Sequence, residues 1–283
     1  MQPLLPPLFV LLWSTGFIGA KFGLPYAEPL TFLLWRYALV VALMLPIVRL
    51  TRAPWPKSPC QWLHIGVTGV LLHGCYLGGV FTAIHQGLPA GVTALVVGLQ
   101  PLLTALAAGG LLGEQVLPRQ WLGLALGFLG VGLVVSDKLA GGAAASMFLP
   151  ALVALAGITF GTLYQKRFCA RFDLRTGSVL QFVPAALCTL PLALATETMA
   201  VDWQAEFIFA LMWLVLVLSI GAITLFNLLI RQGSAVHVTR LFYLTPPTTA
   251  LIAWGLFGET LAPLALAGMG LAALGVYLAR GKA

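Results

Sequence analysis

Apolar residues run along this chain in ten stretches, separated by short clusters of proline, glycine and charge. The stretches fall at about 4–22, 30–49, 62–84, 89–111, 119–136, 147–168, 177–196, 207–230, 235–257 and 263–280. Each matches the roughly 20 apolar residues a helix needs to cross about 30 Å of hydrocarbon. They are apolar on all sides and do not alternate, which speaks against the strands of a membrane barrel. A backbone in lipid must satisfy its own hydrogen bonds, so ten transmembrane α-helices are expected. The chain begins MQPLLPPLFV, with no positive leader and no small-residue cleavage site, and is read as a retained first span.

Composition supports lipid as the solvent. Of 283 residues 60% are hydrophobic and 8% charged, with mean hydropathy +0.99, against about 25% charged in soluble domains. The net charge of +7 does not point to nucleic acid, because the basic residues sit in short inter-span loops. With the N-terminus placed in the cytoplasm, the inner side collects Arg49, Arg52, Lys57, Arg119, Lys166, Arg167, Arg171, Arg175, Arg231, Arg280 and Lys282. The outer side holds only Lys21 and Lys138. That bias sets both termini in the cytoplasm. Cys60, Cys75, Cys169 and Cys188 lack disulfide or metal spacing.

The chain repeats itself. VGLQPLLTALAAGGLLGE (97–114) and FYLTPPTTALIAWGLFGE (242–259) align at 246 − 101 = 145. The same offset carries Gly16 to Gly161, Lys21 to Lys166, Thr104 to Thr249, Gly113 to Gly258, Pro118 to Pro263, Gly123 to Gly268 and Gly130 to Gly275. Two five-span units follow, residues 4–136 and 147–280. Five is odd, so the second unit enters from the opposite face and the repeat is inverted, as in many secondary transporters.

The five-plus-five pattern, the proline placed 13 residues before the Glu of each Gly-Glu pair, and the Pro- and Gly-rich fifth and tenth spans resemble the drug/metabolite transporter superfamily, EamA type. Within it the chain is most similar to bacterial amino-acid exporters of the aromatic (YddG-like) group. The resemblance implies ten helices around a central cavity lined by spans 1, 3, 4, 6, 8 and 9, with spans 5 and 10 peripheral. It implies export and a small-molecule substrate.

Pro101, Pro246 and Pro247 free carbonyls inside spans four and nine, which is tolerated only against protein or a wet cavity. These are read as bending points. Beside them lie two polar strips: Thr93, Gln100 and Thr104, and Thr245 and Thr249. The strips either repair the bent helices or line the substrate path. Arg240 in span nine and Arg36 in span two either snorkel or pair structurally, or else meet an anionic substrate group. Arg240, beside the break and facing as His237 does, is the preferred candidate. His73 and Tyr76 share a face of span three amid glycines that also suit close packing. Trp13, Phe17, Tyr164 and Tyr243 would together suit an apolar or aromatic solute, though each could simply pack. Asn227, on the face of Thr224, either holds helices together or faces substrate. Gly123, Gly127 and Gly130 read as a packing seam within the subunit or, second, between two copies, so monomer and homodimer both stand.

All eight acids, Glu28, Glu114, Asp137, Asp173, Glu197, Asp202, Glu206 and Glu259, fall in loops or at span ends. Proton and sodium relays usually use a buried carboxylate, so facilitated exchange is the simpler expectation. A proton-coupled antiporter would have to work through a histidine such as His73. No P-loop is present; no cofactor or metal is expected. A membrane enzyme lacks a convergent acid/base cluster. A passive channel is the remaining rival. The sequence reading is therefore a ten-helix carrier with alternating access, exporting small amphipathic metabolites, above all aromatic or hydrophobic amino acids.

Overall fold

The computed structural model describes residues 5–112, 118–140, 144–169, 172–232, 242, 244–259 and 263–278. Among these the regular structure is helical, apart from one isolated bridge between Ala27 and Val201. The helices are α1 (Leu5–Gly23), α2 (Pro29–Leu50), α3 (Pro59–His85), α4a (Ala90–Val97), α4b (Gln100–Leu112), α5 (Pro118–Ala140), α6 (Phe148–Phe168), α7 (Leu174–Thr196), α8 (Ala205–Gln232), α9 (Thr245–Phe257) and α10 (Pro263–Leu278). Five of them, α2, α3, α6 (counted from Ala145), α7 and α8, are each long and apolar enough to cross a membrane. The outward side chains include Trp121, Phe128, Leu152, Phe160, Leu187, Phe209, Leu251 and Trp254. So large an apolar exterior belongs in lipid.

Helix pairing carries the repeat. Replacing each helix by the one five places along leaves the main contacts in place: α2–α7, α4–α9 and α5–α10 map onto themselves, α3–α6 maps onto α8–α1, and α3–α7 onto α8–α2. Where spans alternate in direction, a helix and the one five places along run opposite ways, so the relation is a pseudo-two-fold in the membrane plane. Local detail repeats as well. α3 contains a π-helical segment at Val70–Cys75, and α8 contains one at Leu214–Ala222. Adding 145 to 70–75 gives 215–220, inside the second segment.

Two local features position the interior. The fourth span is interrupted at Gly98 and Leu99, between α4a and α4b. Pro101 offers no amide to Val97, and Gly98 lies where a Cβ would meet the Pro246 ring at 2.9 Å. The interrupted fourth span is thereby seated on the proline-rich start of α9. At the other end of α9, Gly258 takes a left-handed conformation (φ 62°) and turns the chain so that Glu259 reaches Lys21 and the amide of Ala90.

The end of the bundle that holds Lys21 is tied together. Glu197 accepts from the amides of Leu30 and Thr31, both at 2.7 Å, at the N-terminus of α2. Glu28 accepts from the amide of Thr198 at 2.7 Å.

Candidate functional site

Between α1, α2, α3 and α8, near their middles, lies a cavity with about 40 Å³ open to the centres of water molecules. Its walls include Trp13 and Phe17 from α1, Arg36 from α2, His73 and Tyr76 from α3, and Phe226 from α8. Both π segments border it, through Leu72 and His73 on one side and Leu218 on the other. π geometry releases carbonyls from the helix ladder and is frequent at functional sites. Here the carbonyl of His73 accepts from the Tyr37 hydroxyl at 2.7 Å.

The cavity is narrow because aromatic rings close on it. Trp13 Nε1 donates to the Tyr76 hydroxyl at 3.2 Å, and the two rings stack with centroids 6.2 Å apart. Trp13 also packs edge-on against Phe242 at 4.9 Å and tilted against Phe226 at 5.5 Å. The polar groups are few. Arg36 is 2% exposed, and its Nε donates to Ser219 Oγ at 2.8 Å. His73 stacks on Phe182 at 4.0 Å, and neither of its ring nitrogens has a hydrogen-bond partner among the described residues. The neighbouring Gln181 of α7 is buried, its side-chain amide close enough to interact with His73 but without good hydrogen-bond geometry.

Further polar groups are buried on α4b, α6, α8 and α9. Gln100 Nε2 donates to Thr162 Oγ1 at 3.1 Å, and Gln165 Nε2 donates to Asn227 Oδ1 at 2.7 Å. The hydroxyls of Thr104, Thr245 and Thr249 are buried without a partner among the described residues. Thr93 instead donates to the carbonyl of Pro89 within its own helix.

The candidates thus separate. Trp13, Phe17, His73 and Tyr76 meet in the cavity. Gln100 and Asn227 each bond to a side chain of α6, while Thr245 is buried at the start of α9 with its carbonyl 3.5 Å from the Ser14 hydroxyl of α1. Tyr164 stands apart, near the other end of the bundle, with its hydroxyl 2.7 Å from His64 Nδ1. Pro101 lies in the first turn of α4b, and Pro246 and Pro247 in the first turn of α9. Arg240, Tyr243 and His237 lie outside the described residues. Among the described residues, the cavity's walls come from α1, α2, α3 and α8, with Arg36 contributed by α2.

Sequence reasoning ranked Arg36 below Arg240 and did not single out Gln181, Ser219 or Phe226. The repeat offset held a signal. Since 181 − 36 = 145 and 226 − 81 = 145, Arg36 pairs with Gln181 and Phe81 with Phe226. Among the described residues no three His, Cys, Asp or Glu side chains gather to hold a metal.

The family model described as "EamA-like transporter family" matches this chain twice, over residues 5–136 and 145–281. An Escherichia coli K12 protein named "Uncharacterized inner membrane transporter YedA" is 27% identical, covering 98% of this chain and 90% of its own length. The Bacillus subtilis "Uncharacterized transporter YvbV" is 29% identical over 99% and 91%. A "Probable amino-acid metabolite efflux pump" of Salmonella typhimurium is 26% identical over 96% and 92%. A solved structure described as "Crystal structure of protein" superposes with TM-score 0.69 at 21% identity, covering 98% of this chain and 95% of that one. It shares the fold. With both halves matched and the helix pairing repeated across them, this chain belongs to the EamA-like transporter family.

Proposed function

We propose that this membrane transporter exports small amphipathic metabolites of the aromatic or apolar amino-acid class by alternating access, as a facilitative exchanger. The observation that carries the reading is the aromatic-walled cavity between α1, α2, α3 and α8, set near the middle of the bundle with a π segment on either side. Two five-span units, 4–136 and 147–280, related by inversion, supply two nearly equivalent ways of closing around one site. The relative named as an amino-acid metabolite efflux pump supports the substrate class. The tied Lys21 end corresponds to a form closed on the outside, with both termini in the cytoplasm. Release requires the Trp13–Tyr76 contact to part, because 40 Å³ is far below the roughly 300 Å³ of a ligand pocket.

The test is counterflow in proteoliposomes. Vesicles loaded with an unlabelled aromatic or apolar amino acid, or a metabolite formed from one, should transiently concentrate the labelled compound. Trp13→Ala should reduce the initial rate by about tenfold or more, the scale expected for a buried aromatic anchor. Flux that does not saturate, with no counterflow, would establish a channel. Uphill accumulation driven by a pH step would establish proton coupling.

A further inference from the structure

We propose that the cavity selects a monoanion, a carboxylate on an apolar planar body without an ammonium group, so that an aromatic carboxylic acid binds in preference to the amino acid of the same skeleton. The proposal rests on the carrier reading above and revises its substrate class, keeping the apolar body and the carboxylate of the amino acid but not its ammonium. Arg36 is the reason. Its guanidinium is almost wholly buried and lines the cavity, and its hydrogen bond among the described residues goes to the neutral hydroxyl of Ser219. The salt bridges among the described residues are Lys21–Glu259 and Arg175–Asp173, so no carboxylate in this set pairs with it.

The sequence offers none elsewhere, because every Asp and Glu of the chain lies in a loop or at a span end. A buried cation without a counter-ion is costly. The remaining guanidinium nitrogens form a planar fork that suits a carboxylate. One cation matches one negative charge; a dianionic phosphate would leave a charge uncompensated among apolar walls.

The absence of acids also decides against a zwitterion. An amino acid held by its carboxylate at Arg36 would carry its ammonium into the same small space. The other polar side chains lining it are the His73 ring and the Tyr76 hydroxyl, neither of which bears a negative charge. Like charge from Arg36 and lost hydration would both oppose it. The body of the ligand meets Trp13, Tyr76, Phe81 and Phe226, whose faces suit a planar ring.

Three ligands of one shape test the idea: 3-phenylpropionate, L-phenylalanine and 3-phenylpropanamide, titrated calorimetrically into the full chain in lipid nanodiscs at neutral pH. The acid should bind at least about tenfold tighter than either of the others, the scale of a charge-assisted contact. Arg36→Gln should remove that advantage and leave the amide's affinity within about threefold, which also reports that the variant is folded. If Arg36→Gln does not fold, Arg36→Lys keeps the charge and must keep the preference for acid over amide. L-phenylalanine binding as tightly as the acid, or a preference indifferent to Arg36→Gln, overturns the inference while leaving the carrier reading intact. Failure of all three to bind overturns it too, and the counterflow assay then judges the carrier reading on its own.

Discussion

Gln165 and Asn227 meet between α6 and α8, and their importance lies in what each would leave behind. Gln165 Oε1 already lacks a partner among the described residues, so the 2.7 Å bond to Asn227 is the one direct contact that holds this amide. Removing either residue strands a buried polar group, at about 1–3 kcal/mol, whereas removing both is close to neutral. Asn227→Leu alone is expected to lower the unfolding midpoint, and Gln165→Leu with Asn227→Leu to recover most of the loss. A double-mutant cycle by thermal unfolding in detergent reads the coupling. Asn227 could be singled out in sequence as a polar residue in an apolar run. Its partner could not, because 62 positions separate the two. Arg36 was hidden in the same way: its anomaly shows in the sequence, but the cavity and Ser219, 183 residues on, appear only when four helices assemble.

At the scale of elements, α5 and α10 form the glycine-built pair. A Cβ on Gly275 would collide with the carbonyl oxygen of Gly123 and lie 2.7 Å from the amide of Gly127. Gly123 and Gly127 are a helical turn apart, so the two backbones touch along a seam. Gly275→Leu must push the helices apart and should cost about 2–3 kcal/mol or more. Gly270→Ala and Gly132→Ala, whose new methyl groups would face open space, should be near neutral or slightly stabilising. Thermal melts of the three variants provide the comparison. The glycine spacing was readable, but whether it served one chain or two was not; the structure assigns Gly123 and Gly127 to contact with Gly275 of the same chain. The interrupted fourth span followed from Pro101. The π segments had no comparable marker, since VLLHGC and LVLVLSIGA read as ordinary apolar helix.

At the scale of the whole molecule, the ion pair of Lys21 with Glu259 joins α1 to the end of α9, and the same carboxylate reaches the first amide of α4a. A partly exposed bridge of this kind contributes about 0.5–1 kcal/mol, or about two- to fivefold in a population. Glu259→Gln should therefore shift the ensemble toward forms open at the Lys21 end. Spin labels at Phe22 and Phe257 should show a larger long-distance fraction; an unchanged distribution would remove the pair from the closure. The ten spans and the 145-residue offset were legible because lipid demands long apolar helices and the two halves kept their prolines and glycines in register. Which spans surround the cavity was not, because that depends on how Trp13 packs against Phe226 and Phe242.

The paired π segments have a geometric consequence. Each residue surplus to α geometry turns the following part of a helix by about 100°. A stripe of side chains that faces lipid along Pro59–Gly69 does not continue as a lipid-facing stripe beyond Cys75, and the same holds across Leu214–Ala222. The third span of each half is thus a two-phase screw, with its inward-turned sector near one membrane surface offset in angle from its inward-turned sector near the other.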